Sequence, residues 1–166
     1  NFLWLLLAIN IIVLSAVFFV QSNRKIVVYA NPQGSILPAY GQVANFALIE
    51  KSGQLISLEN LKGKPWIASF TFIHCPGQCP AINLNLSTIQ NKLPKNMPIV
   101  SFSVDPQRDT PEALSKYSKN FKAEDSKWLF LTGEKKVVDS VLESFHVNGA
   151  AEPSLHSLRC ALVDSR

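Results

Sequence analysis

The sequence feature that most constrains the fold is a nearly unbroken apolar run, WIASFTF, at Trp66–Phe72. A strand with one solvated face alternates apolar and polar residues, whereas a continuous run rich in aromatic residues predicts a strand buried on both faces. Strands of this kind occur where helices cover a sheet. The run therefore predicts the central strand of a layered domain.

The rest of the chain alternates strand and helix patterns, which predicts an α/β fold with helices packed on a mixed sheet. Apolar runs on either side of the Lys51-Ser52-Gly53 turn indicate a hairpin. Further strands are predicted at Ile99–Val104, Trp128–Leu131 and Leu155–Val163. A first helix is predicted to begin at Pro80, with an apolar stripe formed by Ile82, Leu86, Ile89 and Leu93. A second is predicted to begin at Pro111, with Thr110 as its N-cap. A third is predicted around the apolar stripe Val138, Val141, Leu142 and Phe145.

The N-terminal segment Phe2–Val20 contains no charged residue and is about long enough to cross a bilayer as a helix. Because no convincing small-residue cleavage site follows it, we expect an uncleaved transmembrane anchor rather than a signal peptide. We therefore divide the chain into a transmembrane anchor at 1–22, a juxtamembrane connector at 23–42 and a globular domain at 43–166. No element follows the last predicted strand, so we expect the domain to be truncated at its C-terminus.

The charge of the chain limits its partners. Its formal net charge is +4 at pH 7, and the basic residues are scattered along the sequence. Nucleic-acid binding typically requires a dense basic stripe with interleaved aromatic residues, which this sequence lacks. We interpret the lysines as a solvated surface and expect no nucleic-acid partner.

The most distinctive chemistry lies in TFIHCPGQCP, at Thr71–Pro80, directly after the buried strand. Three residues separate Cys75 from Cys79 in the segment that leads from the strand into a helix. Unpaired N–H groups and the helix dipole favour a thiolate at a helix N-terminus, so we expect a lowered pKa at Cys79. Over so short a loop, the two sulfurs can either bond to each other or hold one ion.

Four interpretations of the cysteine pair are open. A structural disulfide of this short span would remove little entropy from the unfolded chain. A structural zinc site needs about four ligands, but the sequence contains only one further cysteine, Cys160. Thiol–disulfide exchange remains credible, although redox enzymes of this architecture usually have two intervening residues. The wider spacing favours coordination of Cu(I), a soft ion, by two thiolates.

A third ligand would strengthen the copper interpretation, and the chain has three histidines. His74 should face away from Cys75 if the strand continues. His146 has the position of a residue at a helix C-terminus, where it complements the dipole. His156 enters the last predicted strand from a loop, where site residues often lie. Cys160 would lie about 13 Å from His156 along a regular strand, so we expect it to be a small buried apolar residue.

These segments resemble the Sco/SenC family of copper chaperones. The similarity runs from about Gly41 to Asp164, through TFIHCPGQCP, SFSVDPQRDTPEAL, WLFLTG and LHSLRCALVD in that order. The resemblance implies a thioredoxin-like fold tethered to a membrane, with the globular domain in the periplasm or an equivalent extracytoplasmic compartment. It also implies that copper, as Cu(I) or Cu(II), binds to Cys75, Cys79 and His156.

The family resemblance further implies a function. Such proteins deliver copper to, or reduce the cysteines of, the binuclear copper site of cytochrome c oxidase subunit II, and another copper-site apoprotein is an equivalent partner. We therefore expect a metallochaperone rather than a catalyst with turnover. Two alternatives remain open. One is a thiol–disulfide oxidoreductase, in which Cys75 and Cys79 are the catalytic pair, and the other is a redox or copper sensor.

A second segment shared with the family, Asp105–Pro111, also has two interpretations. Its residues are those of a turn that ends a strand and caps the next helix. The alternative is a loop near the metal that orients the ligands or the partner. We favour the turn.

Overall fold

A computed structural model of the chain describes residues 41–75, 78–147 and 160–165. In chain order its elements are β1 (Ala47–Glu50), β2 (Leu55–Ser57), a 3₁₀ helix (Leu58–Leu61), β3 (Trp66–Thr71), α1 (Gln78–Ile89), β4 (Ile99–Ser103), α2 (Pro111–Lys119), β5 (Trp128–Thr132), α3 (Lys135–Ser144) and β6 (Ala161–Val163). All of these elements lie in the second of the two units into which the chain divides, Tyr40–Arg166.

The described strands form one mixed sheet in the order β2-β1-β5-β4-β3-β6. The central strands β3, β4 and β5 are parallel, while β1 and β6 pair antiparallel on either side of them. The predicted hairpin is present as β1 and β2, with Leu48 opposite Ile56. Because parallel strands end at the same edge of a sheet, the segments that follow β3 and β4 are neighbours.

Helices cover both faces of the sheet. One face, called here the α3 face, packs Val138, Val141 and Leu142 of α3 on a cluster rich in aromatic residues. The other, the α1/α2 face, packs Leu86 of α1 and Leu114 of α2 on a second cluster. Alternate residues of β3 point to opposite faces, and all but one of them are buried. The prediction of a central strand buried on both sides is therefore confirmed.

The helix predictions hold except at the two ends of the first helix. Thr110 caps α2, since its hydroxyl accepts a hydrogen bond from Ala113 N–H at 3.3 Å, and Pro111 is the first helical residue. The third helix buries Val138, Val141 and Leu142 of its predicted stripe, and Phe145 follows its last residue as the C-cap. However, α1 begins at Gln78 rather than at Pro80 and ends at Ile89, so Leu93 lies beyond the helix. Pro80 is tolerated there because the first turn has N–H groups without intrahelical partners.

The predicted membrane anchor at Phe2–Val20, and the connector after it, lie outside the described residues. Within the described ranges, no helix combines the length and the apolar character that a membrane span requires.

Candidate metal centre

The cysteine motif lies where β3 ends and α1 begins. Cys75 lies in the connecting segment, and Cys79 lies in the first turn of α1. Both are thiols. The backbone N–H of Cys79 donates a hydrogen bond to Cys75 Sγ, with 3.2 Å between the nitrogen and the sulfur. Both cysteines pack against the cluster on the α3 face. The fold therefore brings the two thiols together, as their spacing in the sequence predicts.

The two thiols differ in their exposure. Cys79 is completely buried, whereas Cys75 is partly exposed. Burial raises the pKa of the Cys79 thiol to about 12, and its hydrogen bond with Cys75 acts in the same direction. The expectation of a lowered pKa at Cys79 is therefore wrong. Loss of hydration raises the pKa of the Cys79 thiol by more than the helix N-terminus lowers it. The Cys79 N–H at that terminus donates to Cys75 Sγ.

Two donors nevertheless face the Cys79 sulfur. The backbone N–H of Phe72 and the hydroxyl of Thr71 form hydrogen bonds with it, and both act to lower the pKa of the thiol. Thr71 Oγ1 accepts in turn from Asn83 Nδ2 at 3.1 Å. The same Nδ2 donates to the Tyr117 hydroxyl, also at 3.1 Å. We call Thr71, Asn83 and Tyr117 the hydroxyl cluster.

The segment after β4 contributes a buried carboxylate to the site. Asp109 accepts hydrogen bonds from the backbone N–H of Ile73 at 3.3 Å and from the Ser103 hydroxyl at 2.7 Å. Ile73 lies two residues before Cys75. Burial raises the pKa of Asp109, and the charge of Asp105 adds to this, while His74 acts against it. The Asp105–Pro111 segment therefore caps a helix, as predicted, and also fixes the backbone that leads into the cysteine loop.

The three histidines considered as a third ligand lie in different places, and the structure describes two of them. His74 is exposed and lies in a turn. Because β3 ends at Thr71, the argument that placed His74 on the strand face opposite Cys75 does not apply. His146 follows α3 with a φ of 55°, in the left-handed region, and its N–H donates to Glu143 O at 2.9 Å. His156 lies outside the described residues.

Cys160 lies immediately before β6 and is exposed. The expectation of a small buried apolar residue is therefore wrong. The reason is that β6 is an edge strand, paired with β3 on one side only in the described sheet. Its Leu162 is exposed as well.

Among the described residues, no group of three or more His, Cys, Asp and Glu side chains is arranged to hold a metal ion. They supply instead two adjacent thiols, one of them wholly buried. Soft sulfur ligands in a site that excludes water suit Cu(I), which accepts low coordination numbers, better than they suit hard ions. The donor set of Cys75 and Cys79 therefore fits copper.

Sequence reasoning missed Thr71, Asn83 and the positioning role of Asp109. A signal existed for Asn83, which lies four residues after Cys79 and three before Leu86, so all three share one side of α1. A polar residue in that phase should be buried. Thr71 was hidden in an apolar run because threonine is common in strands. Asp109 was hidden because an aspartate in a turn usually has a local role.

Comparison with protein families gives one extended match. The model of the SCO1/SenC family matches residues 37–165 of the chain. The SCO1 protein homolog of Bacillus subtilis (strain 168) is 35% identical over 113 residues, which are 65% of this chain and 58% of that protein. For the Arabidopsis thaliana mitochondrial SCO1 homolog 1 the aligned region is 34% of the relative. The chain thus spans about a third to three fifths of these curated relatives.

Solved structures give the same result. A SCO1/SenC family lipoprotein from Bacillus anthracis str. Ames matches with a TM-score of 0.67 and 29% identity, over 77% of this chain and 81% of that chain. Arabidopsis thaliana ScoI with copper bound matches at 0.62 and 31%, over 74% and 81%. BsSco, described with a disulfide switch as a Sco-family cytochrome c oxidase assembly protein, matches at 0.62 and 34%, over 69% and 70%. The expected mixed sheet flanked by helices is confirmed, and a relative with this fold binds copper.

Proposed function

The chain belongs to the SCO1/SenC family, and from that premise we propose that it is a copper-binding protein that assists the assembly of cytochrome c oxidase. Copper is its cargo, and Cys75, Cys79 and His156 are the ligands. The observation that carries the proposal is the pair of adjacent thiols at the junction of β3 and α1. One sulfur is accessible for loading and transfer, while the other is shielded from water.

Support for His156 as the third ligand comes from the family, since the match includes the segment LHSLRCALVD that contains this residue. Ala161 is opposite Ala68, and the two strands run antiparallel. Ile73 leads directly into the cysteine loop and is held there by Asp109. The described part of β6 therefore pairs with the strand that leads into the cysteine loop.

We further propose that Phe2–Val20 anchors the protein in a membrane, with 23–42 as a connector and 43–166 as an extracytoplasmic domain. The length and apolar character of that segment support the anchor. The description of a structural neighbour as a lipoprotein supports membrane attachment in general, through a lipid in that protein. The partner is the binuclear copper site of cytochrome c oxidase subunit II. The description of BsSco as an oxidase assembly protein supports this choice of partner.

An anaerobic copper titration of the reduced full chain tests copper binding. We expect one copper per chain and, after addition of Cu(II), a sulfur-to-copper charge-transfer band in the visible spectrum. Cys75→Ser and Cys79→Ser should each abolish the band. Cys160→Ser is the matched control and should leave it unchanged, because Cys160 lies outside the cysteine loop. A folded wild-type chain without the band would refute the proposal.

Thiol–disulfide exchange is the second candidate, and the unequal exposure of the two sulfurs favours it. Exchange needs one sulfur that a partner thiol can reach, and Cys75 meets this need. A rescue experiment in cells that lack the protein distinguishes copper delivery from thiol–disulfide exchange. Restoration of oxidase activity by added copper supports delivery, whereas restoration by a small thiol reductant supports reduction of partner cysteines.

A further inference from the structure

Four exposed lysines lie together at one end of the sheet. Because β3, β4 and β5 are parallel, the segments that precede these strands meet at one end of the sheet, and the segments that follow them meet at the other. Residues 90–98 precede β4, and residues 119–127 run from the end of α2 to β5. The exposed lysines of these two segments are Lys92, Lys95, Lys119 and Lys122. We call these four residues the basic patch.

Hydrogen bonds hold the two segments side by side. Gln90 Nε2 donates to the Lys122 carbonyl oxygen at 3.0 Å, and Gln90 Oε1 accepts from the Glu124 N–H at 3.0 Å. Lys127 Nζ donates to Asn91 Oδ1 at 3.2 Å. The Gln90 side chain that makes the first two bonds is buried. Lysines that are scattered along the sequence are therefore gathered by the fold on one surface.

The positive charge of this surface has little compensation. Over residues 90–98 and 119–127, five lysines stand against two carboxylates, so these segments carry a formal net charge of +3, out of +4 for the whole chain. Both carboxylates have lysine partners outside the basic patch, since Glu124 pairs with Lys127 at 3.3 Å and Asp125 with Lys51 at 3.1 Å. In the described part of the chain, no carboxylate pairs with a lysine of the basic patch. Such a concentration of unpaired charge favours an anionic partner.

The end of the sheet that carries the cysteine loop has the opposite charge. Residues 72–75, 104–110 and 133–134 follow β3, β4 and β5. They contain Asp105, Asp109 and Glu134 against Arg108, which gives a formal net charge of −2. An extended anionic surface attracts the end with the basic patch and repels the end with Cys75. The charge distribution can therefore orient the domain as well as attract it.

The composition of the patch favours a membrane over a nucleic acid. Proteins that bind nucleic acids use arginine and exposed aromatic side chains beside their lysines. Residues 90–98 and 119–127 contain no arginine, and their one aromatic residue, Phe121, is buried. Lysine is a strongly hydrated point charge, and clusters of lysines bind anionic lipid headgroups without specific geometry. A membrane anchor at Phe2–Val20 would keep such a surface close to the globular domain.

We propose that the basic patch docks the globular domain on anionic lipid headgroups, so that the cysteine loop is directed away from the membrane. The inference rests on the proposed function in one respect, namely the membrane anchor. It adds an orientation to that function. With the opposite end of the sheet against the lipid, Cys75 is presented to the partner protein rather than to the bilayer.

Lysine labelling on vesicles tests the docking. The full chain is reconstituted in vesicles of phosphatidylcholine, or of phosphatidylcholine mixed with an equal amount of anionic phosphatidylglycerol. It is then acetylated with a reagent that does not cross the bilayer, and mass spectrometry measures the rate at each lysine. On the anionic vesicles the basic patch should react about fivefold more slowly than on the neutral ones, because several lysines near an anionic surface hold the domain there.

Lys136 is the internal control. It is exposed at the start of α3, which follows β5 at the cysteine end of the sheet, and it should react at the same rate on both kinds of vesicle. Equal reactivity of the basic patch on both kinds of vesicle would overturn the proposal in favour of a solvated surface. Protection of Lys136 as strong as that of the basic patch would overturn the proposed orientation.

A double variant tests whether the four lysines act as one surface. Lys119→Gln combined with Lys122→Gln should return the labelling of Lys92 and Lys95 on anionic vesicles most of the way to the rate on neutral vesicles. These substitutions are at exposed positions, so the fold should be kept. Undiminished protection of Lys92 and Lys95 in the folded variant would show that the patch is not what binds the lipid.

The matched control removes the same two charges from the other end of the sheet. Lys135→Gln combined with Lys136→Gln should leave the protection of the basic patch unchanged. Salt gives a second check, because at about 1 M it screens charges that are more than about 3 Å apart. Protection should disappear there, and protection that persists would contradict docking by charge.

Failure of this inference is distinguishable from failure of the proposed function. If the chain stays on neutral vesicles but its basic patch is not protected on anionic ones, the anchor stands and the inference alone is wrong. If the chain separates from neutral vesicles but binds anionic ones through the patch, the inference stands and the anchor is wrong. Copper binding is a separate readout, since the variant with Lys119→Gln and Lys122→Gln should keep the charge-transfer band of the wild type.

Discussion

Two buried carboxylates, Glu50 beside the β1–β2 hairpin and Asp109 beside the cysteine loop, are held in different ways. Glu50 pairs with Lys51, whose side chain is also buried, at 3.1 Å. It also accepts hydrogen bonds from the backbone N–H groups of Ser52 at 2.6 Å and Phe130 at 3.3 Å. Asp109 accepts two hydrogen bonds, and no Lys or Arg pairs with it in the described part of the chain.

The pKa values move in opposite directions. Burial alone would raise the pKa of Glu50, but hydrogen bonds from Ser52 and Lys51 and the charge of Lys51 hold it below its ordinary value of 4.5. At Asp109, burial raises the pKa above its ordinary value of 3.8, and the two hydrogen bonds do not compensate. The hairpin carboxylate is therefore stabilised in its charged form, whereas the carboxylate near the site is not.

The comparison separates a structural anchor from a site constraint. Glu50 ties the hairpin to β5 through Phe130 and Lys51. Asp109 ties the end of β4 to the residue that leads into Cys75. A buried carboxylate without a cation is costly, and its retention here is explained by the backbone that it holds.

The largest expected effect is that of Glu50→Ala. This change leaves Lys51 partly uncompensated and two backbone N–H groups without their acceptor, so we expect a loss of about 3 kcal/mol in the free energy of unfolding. Urea denaturation measures it. Glu59→Ala removes an exposed pair with Lys62 and should cost less than about 1 kcal/mol. Similar losses in both variants would contradict the anchoring role of Glu50.

Asp109→Ala should cost about 2 kcal/mol, because it orphans the Ile73 N–H and the Ser103 hydroxyl. A local effect should accompany it, namely faster hydrogen exchange at the Ile73 amide. Asp125→Ala, at an exposed carboxylate, is the control and should leave that amide unchanged. An Ile73 amide that stays fully protected in Asp109→Ala would show that Asp109 does not hold the cysteine loop.

Acidification should distinguish the two carboxylates by sign. The stabilisation from Glu50 is present above pH 4.5 and is lost as the pH falls through its lowered folded pKa, because the unfolded state takes up the proton first. Glu50→Gln should therefore lose less stability than the wild type between neutral pH and about pH 3.

For Asp109 the folded state takes up the proton first, so the penalty for burying its charge is relieved as the pH falls through its raised folded pKa. Asp109→Asn lacks this relief and should lose more stability than the wild type over the same range. Urea midpoints across that range measure both slopes. Slopes that change in the same direction in the two variants would contradict the comparison.

The smallest expected effect is that of Thr110→Ala. Its hydroxyl caps α2 directly after Asp109, and the loss of such a cap costs about 1 kcal/mol. Exchange at the Ile73 amide should not change, because the Asp109 carboxylate rather than the cap holds it. Urea denaturation and hydrogen exchange on the same variant check both statements, and a deprotected Ile73 amide would assign its position to the helix start instead.

Much of the fold was predictable because it follows from apolar periodicity. The run at Trp66–Phe72 gave a strand buried on both faces, and the stripe with Val138 and Leu142 gave α3. These patterns are local, so the sequence carries them directly. The start of α1 was displaced by two residues because Pro80 is accepted at several positions of a first helical turn.

The adjacency of the two thiols was predictable from the sequence, whereas their exposure and pKa values were not. The spacing of Cys75 and Cys79 correctly brought two thiols together, but their exposure depends on the packing of the whole sheet. Cys79 is buried, and its pKa is raised rather than lowered. Cys160 is exposed because of its place at a sheet edge, which no local pattern specifies. Asp109 meets Ile73 across 36 residues of sequence, a contact that only the parallel pairing of β3 and β4 creates.

The central claim is that one copper ion binds to two sulfurs and to the imidazole of His156. Pulsed electron paramagnetic resonance on the Cu(II)-loaded chain reports imidazole nitrogen bound to copper directly. We expect this nitrogen signal in the wild type and in His146→Ala. We expect its loss in His156→Ala, while the sulfur-to-copper charge-transfer band persists in weakened or shifted form. A nitrogen signal that survives in His156→Ala, or that disappears in His146→Ala, would contradict the ligand set.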